Sequence, residues 1–214
     1  MKYLIYLHGF NSSPQSEKAQ LTTEFYHTHS TAAGQAINVI VPALPPSPLA
    51  AISLVHDLIK QKGRENLLGF IGSSLGGFYS MYLQRYYSQT DRTPKAILIN
   101  PAIRPYDLLT QYLGENQNMY TGETYVVESS HMDDLRSLIV EPIKQPNLTM
   151  LLTQTGDEVL AFQEAVTQLA GVKMLVQFGG SHAFDDYALV LPSMLAFCLS
   201  NQLIKRKIHC NFYD

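Results

Sequence analysis

Residues 68–82 read LGFIGSSLGGFYSMY and contain the pattern Gly-x-Ser-x-Gly, with Ser74 at its centre. The run from Leu67 to Ile71 just before it is apolar and typical of a buried strand. An apolar, aromatic segment of helical length follows it. When this pattern lies between a strand and a helix, it is typical of a nucleophile on a sharp turn, where the side chain of the central residue is exposed. Gly72 and Gly76 suit such a turn because a Cβ at either position would collide across the bend.

The motif is weak evidence by itself, because Gly and Ser are common and an unrelated loop can contain it by chance. A hydrolase built on this turn also needs an acid and a histidine base at the ends of later strands. Asp157 and His182 each follow a predicted strand, so both are expected at the same edge of the sheet as Ser74. Their order along the chain, Ser then Asp then His, is that of α/β-hydrolases. We therefore predict Ser74, Asp157 and His182 as the catalytic residues.

These residue types fit together chemically. A serine hydroxyl is a poor nucleophile until a base within about 3 Å takes its proton. A neutral imidazole does this near pH 7, and a carboxylate on its other nitrogen fixes the tautomer and stabilises the imidazolium. We predict the backbone N–H groups of Leu75 and Phe10 as the oxyanion hole, each worth on the order of 3 kcal/mol. His8, in the same loop as Phe10, is interpreted as a packing residue and not as a base.

Other acidic residues compete with Asp157 for the role of the acid. Glu158 is its direct neighbour, and Asp133 and Asp134 lie earlier in the chain, in the irregular segment at residues 101–146. Asn100 ends the fourth predicted strand, where some enzymes of this architecture carry the acid. An amide at that position argues against this variant.

The whole chain predicts an α/β fold with a mostly parallel sheet of about six strands and helices on both faces. The predicted strands are Lys2–Leu7, Ile37–Val41, Leu67–Ile71, Pro94–Asn100, Leu148–Thr153 and Val172–Phe178. Helices are predicted at Ser16–His27, from Pro48 after a cap at Ser47, after Ser74, at about Ala161–Leu169 and from Tyr187. Residues 101–146 break this alternation and are predicted as a lid-like insertion over the carboxyl edge of the sheet. We predict a single domain over residues 1–214.

Composition excludes several classes of function. The 214 residues carry a net charge of −3, which does not favour nucleic-acid binding, and the basic cluster at Lys205–Lys207 is interpreted as a solvated helix end. Cys198 and Cys210 have neither zinc-site nor redox spacing, so we expect no metal and no cofactor. The N-terminal apolar run is too short for a signal peptide, and no run is long enough to span a membrane. We expect a cytoplasmic protein, with no indication of its oligomeric state.

Several longer motifs resemble the compact YqiA-type esterases of bacteria, within the α/β-hydrolase superfamily. The resemblance runs from Tyr3 to about Phe197 and rests on the segments YLHGFNSSPQSEKA, GSSLGG, NPAIRPYDLL, YTGETYVVES, QTGDEVL and GGSHAF. It implies a minimal α/β-hydrolase with a short lid, in which Ser74, Asp157 and His182 form the triad. Two features depart from the family. Ser181 stands where Asn is frequent, and the basic tail after Gln202 has no counterpart.

We therefore expect a serine hydrolase that cleaves carboxylic esters or acyl thioesters, such as acyl-CoA, through an acyl-enzyme on Ser74. The substrate would be a small molecule. Peptidase and lipase activities stay open within this class. The alternative is an inactive protein of the same fold that binds a small ligand or a partner. A binding protein has no need of a nucleophile, a base, an acid and an oxyanion loop together.

Overall fold

The computed structural model describes residues 1–88, 92–140 and 145–200. In these ranges the strands are β1 (Lys2–Leu7), β2 (Ile37–Ile40), β3 (Leu67–Ser73), β4 (Lys95–Ile99), β5 (Gly114–Gln117), β6 (Thr124–Val127), β7 (Thr149–Gln154) and β8 (Lys173–Gln177). The α-helices are α1 (Glu17–Ala32), α2 (Pro48–Lys62), α3 (Leu75–Tyr87), α4 (Pro105–Leu108), α5 (Ser129–Ser137), α6 (Phe162–Gln168) and α7 (Leu191–Leu199). Short 3₁₀ helices lie at Arg64–Asn66, Leu109–Tyr112, Pro146–Leu148 and Tyr187–Val190.

Six of these strands form one sheet, in the order β2-β1-β3-β4-β7-β8, and every neighbouring pair is parallel. The predicted α/β class is therefore confirmed, and the six predicted strands are found with small shifts at their ends. Because all strands of a parallel sheet run the same way, their carboxyl ends meet at one edge. The segments that follow β1, β3, β4, β7 and β8 consequently start from that edge.

Helices cover both faces of the sheet, as predicted. Alternate residues of β1 point to opposite sides. Tyr3, Ile5 and Leu7 pack with residues of α2, α3 and α6 on one face, whereas Leu4 and Tyr6 pack with residues of α1 and α7 on the other. Strands buried on both faces are apolar at nearly every position, which explains the continuous apolar runs in the sequence.

The predicted insertion at about residues 101–146 has more regular structure than its sequence suggests. It contains α4, the antiparallel hairpin β5–β6 and α5, while residues 141–144 lie outside the described ranges. The hairpin was missed because its strands have only four residues each and β5 is polar. Its turn is stabilised locally by Asn118, whose Oδ1 accepts the backbone N–H groups of Tyr120 and Thr121 at 2.9 and 3.1 Å. That the chain forms a single domain stays a prediction.

The C-terminal part contains both cysteines and the basic cluster that is interpreted above as a solvated helix end. Cys198 is a free, buried thiol on α7, and burial raises its pKa to about 11. Cys210 and Lys205–Lys207 lie outside the described residues. Among the helices that the structure describes, none combines the length and apolar character needed to cross a membrane.

Lys95 is a buried cation that joins the sheet to α7. Its Nζ donates to the carbonyl oxygen of Phe197, to that of Cys198 at 3.0 Å and to Ser200 Oγ at 3.2 Å. Burial lowers the pKa of this amine. The last carbonyl groups of a helix have no partner within the helix, so Lys95 supplies one.

We expect Lys95→Met to lower the free energy of unfolding by about 2 kcal/mol, because it removes the donor to the Cys198 carbonyl oxygen and leaves the Phe197 carbonyl with Ser200 as its donor. Urea denaturation followed by circular dichroism measures this. The matched control is Lys60→Met, at an exposed position on α2, which should change stability by less than about 0.5 kcal/mol. Equal effects of the two substitutions would contradict the assignment.

Candidate active site

Ser74 lies in the turn between β3 and α3, in a backbone conformation that non-glycine residues rarely adopt, with φ of 55° and ψ of −120°. The flanking glycines make this turn possible. A Cβ on Gly72 would lie 2.1 Å from the Gly76 carbonyl oxygen, and a Cβ on Gly76 would lie 1.9 Å from the Leu7 carbonyl oxygen. The predicted reason, collision across a tight bend, is confirmed for Gly72, whereas Gly76 is required because α3 passes close to the end of β1.

The structure brings together all three residues that were predicted as catalytic. His182 Nε2 lies 3.1 Å from Ser74 Oγ, and His182 Nδ1 lies 2.9 and 3.0 Å from the two carboxylate oxygens of Asp157. Ser74 follows β3, Asp157 follows β7 and His182 follows β8, so the side chains meet at the carboxyl edge of the sheet. The arrangement can pass a proton from the hydroxyl to the imidazole while the carboxylate holds the Nδ1–H tautomer.

Asp157 is prepared for its contact with the imidazole by hydrogen bonds within its own loop. Its side chain is 1% exposed, and Oδ1 accepts the backbone N–H groups of Val159 at 2.9 Å and Leu160 at 2.8 Å. Such bonds offset the cost of burying a carboxylate and fix its orientation. The His182 side chain is 24% exposed, which leaves it accessible from the cavity beside Ser74.

The other candidates for the acid lie elsewhere. Glu158 Oε2 accepts the backbone N–H of His182 at 2.9 Å and so holds the main chain of this residue. Asp133 pairs with Arg136 at 3.0 Å on the surface of α5, with its side chain 83% exposed. Asn100 donates from its amide to the backbone carbonyl of His182 at 3.2 Å. Asp157 alone among these candidates has a hydrogen bond to the imidazole in the described residues.

The predicted oxyanion donors, Phe10 and Leu75, flank Ser74. Leu75 is the first residue of the 13-residue helix α3, where backbone N–H groups have no partner within the helix. Phe10 follows Gly9, and a Cβ on Gly9 would lie only 3.2 Å from the Cβ of Ser74. In the part of the chain that the structure describes, neither the Phe10 nor the Leu75 N–H donates a hydrogen bond. Their role as an oxyanion hole stays a prediction.

His8 packs the loop, in agreement with its interpretation as a structural residue. It is 5% exposed, and Nε2 accepts the backbone N–H of Leu44 at 3.2 Å while Nδ1 lies 3.1 Å from the Gly9 carbonyl oxygen. Burial lowers the pKa of His8, against the opposing effect of the Gly9 carbonyl. A neutral imidazole with its proton on Nδ1 satisfies both contacts. His8 thus connects the Phe10 loop to the proline-rich segment after β2.

The insertion supports the loop that carries Phe10. Asn118 Nδ2, at the tip of the β5–β6 hairpin, donates to the Ser12 carbonyl oxygen at 2.9 Å. The Tyr125 hydroxyl, whose pKa burial raises to about 12, donates to Asn11 Oδ1. The Tyr125 ring also packs edge-on against Phe10 at 6.2 Å between centroids. No local sequence signal predicts these contacts, because they join segments more than 100 residues apart.

A cavity of about 320 Å³ opens beside Ser74 and His182, and Tyr6, Ser16 and Lys18 are among its lining residues. Its size is at the lower end of the range for ligand sites, roughly 300–1,000 Å³. Burial lowers the pKa of the Lys18 amine, and the nearby carboxylates of Glu17 and Asp157 oppose this shift. The Lys18 Nζ donates a hydrogen bond to the Ala183 carbonyl oxygen at 2.7 Å.

Metal ligands are a separate question, because hydrolases can also use a metal-bound water. Within the described ranges, no group of three or more His, Cys, Asp and Glu side chains is placed to hold a metal ion.

Comparison with solved structures places the chain in a class. Est1E from Butyrivibrio proteoclasticus has a TM-score of 0.68 with 13% identity, covering 96% of this chain and 89% of that one. The esterase domain of a Rhodothermus marinus protein has a TM-score of 0.65 with 14% identity, covering 92% and 86%. Alpha/beta hydrolase domain-containing protein 10 from mouse has a TM-score of 0.59 with 16% identity, covering 95% and 89%. The chain has the α/β-hydrolase fold.

A family model identifies the family of the chain. Residues 3–199 match the model of the family described as "Uncharacterised protein family (UPF0227)", and the chain belongs to this family. This range agrees with the extent of the resemblance found in the motifs, Tyr3 to about Phe197. The predicted membership in the YqiA-type group is thereby confirmed.

We expect Gly76→Ala to lower the free energy of unfolding by about 3 kcal/mol, because the added Cβ pushes α3 away from β1. Chemical denaturation measures this effect. Gly34→Ala is the comparison, since its Cβ meets nothing within 4 Å and the only cost arises from its φ of 78°, about 1 kcal/mol. If the two variants are equally stable, the close approach of helix and strand does not constrain this turn.

Proposed function

We propose that the protein is a serine hydrolase that cleaves carboxylic esters or acyl thioesters through an acyl-enzyme on Ser74. The observation that carries this proposal is the continuous chain of contacts from Asp157 through His182 to Ser74, with distances of 2.9 and 3.1 Å. Both nitrogens of one imidazole are used, one toward an acid and one toward a hydroxyl. That is the arrangement that activates a serine.

In the first half of the reaction, Ser74 Oγ attacks the carbonyl carbon of the substrate and its proton passes to His182 Nε2. Asp157 stabilises the imidazolium through Nδ1. The carbonyl oxygen becomes an oxyanion, which the backbone N–H groups of Phe10 and Leu75 bind. The tetrahedral intermediate collapses when the bond to the leaving group breaks. The departing alcohol or thiol takes the proton from Nε2, and the acyl group stays on Ser74 as an ester.

In the second half, water takes the place of the leaving group. His182 Nε2 removes a proton from the water, whose oxygen attacks the acyl carbon. The new tetrahedral intermediate breaks its bond to Ser74 Oγ, which regains a proton from Nε2. The carboxylic acid leaves and the enzyme returns to its starting state.

Two proteins of the same fold support the proposal that the substrate is an ester. The structural neighbours include the esterase domain from Rhodothermus marinus, and Est1E has been solved with ferulic acid bound. We extend the esterase activity named for the Rhodothermus marinus domain to this chain as part of the proposal. Whether the leaving group is an alcohol or a thiol is decided by experiment.

We expect Ser74→Ala to lower the turnover of an ester such as 4-nitrophenyl butyrate by about 10³-fold or more, because the nucleophile is lost. Release of 4-nitrophenolate measures this. The matched control is Ser53→Ala, an exposed serine on α2, which should keep wild-type turnover. Undiminished esterase activity in Ser74→Ala would end the proposal.

A fluorophosphonate probe provides an independent measurement of the same residue. Ser74 Oγ should attack the phosphorus and expel fluoride, leaving one covalent label that peptide mass spectrometry assigns to residue 74. The Ser74→Ala variant should not be labelled. A protein with no turnover and no label would instead match the inactive binding protein of the alternative hypothesis.

We expect Asp157→Asn to lower kcat by about 10⁴-fold, because an amide favours the wrong tautomer of His182. The same substitution at the competing acid, Asp133→Asn, should leave kcat unchanged, since that side chain lies on the surface of α5. Steady-state kinetics with one ester separates the two variants. A large loss in the Asp133 variant together with a small loss in the Asp157 variant would reverse the assignment.

The leaving group and the acyl group require a substrate series. Wild type and Ser74→Ala are compared on 4-nitrophenyl esters and acyl-CoA thioesters of graded chain length. Activity that depends on Ser74 with both series supports a shared acyl-enzyme, whereas activity with only one series restricts the proposal to that bond.

A further inference from the structure

Asn100, at the end of β4, holds the main chain of the loop that carries His182. Its side-chain Nδ2 donates to the carbonyl oxygens of Ser181 at 3.0 Å and His182 at 3.2 Å. Its Oδ1 accepts the backbone N–H of Gln154 at 3.0 Å. Asn100 is 2% exposed and has a φ of 38°. It is therefore a buried polar residue with a strained backbone conformation.

Gln154, at the end of β7, holds the same loop from the other side. Its Oε1 accepts the backbone N–H groups of Ser181 at 3.1 Å and Asp185 at 2.8 Å. Its Nε2 donates to the Asp185 carbonyl oxygen and to Gln177 Oε1, both at 2.9 Å. The side chain is 4% exposed, and the amide uses both donors and both acceptor positions.

The loop needs such support because its own backbone does not determine its shape. Gly179 and Gly180 have φ values of 75° and 76°, and the non-glycine residues Phe184 and Asp186 have 67° and 55°. Left-handed conformations at non-glycine residues persist only where the surroundings over-determine them. The two buried amides hold this main chain together with the Glu158 carboxylate on the His182 N–H. Lys18 Nζ on the Ala183 carbonyl and Thr155 Oγ1 on the Gly179 N–H add to this support.

We propose that Asn100 and Gln154 are positioning residues for the reaction. They form an amide clamp that fixes the loop at residues 181–185 and so sets the distances from the imidazole to Ser74 and Asp157. This inference rests on the proposed serine-hydrolase function. Neither amide lines the cavity beside Ser74, so neither is expected to contact the substrate. Loss of the clamp should therefore reduce kcat and leave KM nearly unchanged.

The clamp requires amides because each side chain both donates and accepts. A carboxylate at residue 100 would face the carbonyl oxygens of Ser181 and His182 with no hydrogen to offer. A carboxylate at residue 154 would lose the bond to the Asp185 carbonyl oxygen in the same way, although it would still accept the N–H groups of Ser181 and Asp185. Asn100→Asp and Gln154→Glu keep the shape of the side chain and replace the donating NH2 group with a carboxylate oxygen that faces carbonyl oxygens, so they test the donor role directly.

We expect Asn100→Asp and Gln154→Glu each to lower kcat about 100-fold, the effect of a misplacement of roughly 1 Å in a catalytic group. The matched control is Asn38→Asp, the same change at an exposed residue of β2, which should keep wild-type kcat. Urea denaturation verifies that each variant is folded at the assay temperature. If both clamp variants fail to fold, the proposal is overturned, because it assigns the pair to one loop and not to the stability of the sheet.

A spectroscopic measurement separates this inference from the proposed function. The ¹⁵N NMR shifts of the His182 ring, assigned by comparison with His182→Ala, report which nitrogen carries the proton. Wild type and Asn38→Asp should show the Nδ1–H tautomer, and the two clamp variants should show a mixture. The same pattern in a wild type without ester turnover would keep the clamp and reject the hydrolase. Clamp variants that retain wild-type kcat and the Nδ1–H tautomer would overturn the clamp.

Discussion

The close approach of α3 to β1 and β3 is the constraint on which the rest of the site depends. Only glycine fits at residues 72 and 76, since a Cβ on Gly76 would lie 1.9 Å from the Leu7 carbonyl oxygen. The helix can therefore start directly after β3, and Ser74 is forced into its strained conformation at the first turn. A hydrogen bond from the Ser74 N–H to the Ile99 carbonyl oxygen at 3.0 Å holds this strained residue against β4.

The parallel order of the strands then assembles the site. The strands β3, β4, β7 and β8 are neighbours in the sheet in that order, so the residues that follow them lie beside one another at one edge. Ser74 comes from β3, Asn100 from β4, Asp157 from β7 and His182 from β8. The strand between the serine and the aspartate thus supplies the side chain that reaches across to the histidine loop. Neighbours in the sheet become neighbours in the site, although the chain separates them widely.

The loops on the two sides of Ser74 are held by different means. The loop around Phe10 is supported from outside by the hairpin of the insertion, through Asn118 on the Ser12 carbonyl and Tyr125 on Asn11. The loop around His182 is held by hydrogen bonds to the buried side-chain amides of Asn100 and Gln154, at the ends of β4 and β7. The insertion therefore also contributes to the geometry of the predicted oxyanion hole. Both supports use hydrogen bonds to main-chain or amide oxygens, which are directional and fix position more narrowly than apolar packing.

Local patterns in the chain predicted the six parallel strands, the glycine-flanked serine and the order of serine, acid and histidine, because periodicity and strand ends are local properties. The folded structure explains the preference for Asp157 over Glu158, since Asp157 reaches the imidazole of His182 and Glu158 reaches its backbone N–H. It alone also revealed the docking of Asn118 and the clamp of Asn100 and Gln154. Those contacts join segments that only the folded sheet brings within hydrogen-bond distance, so no local pattern encodes them.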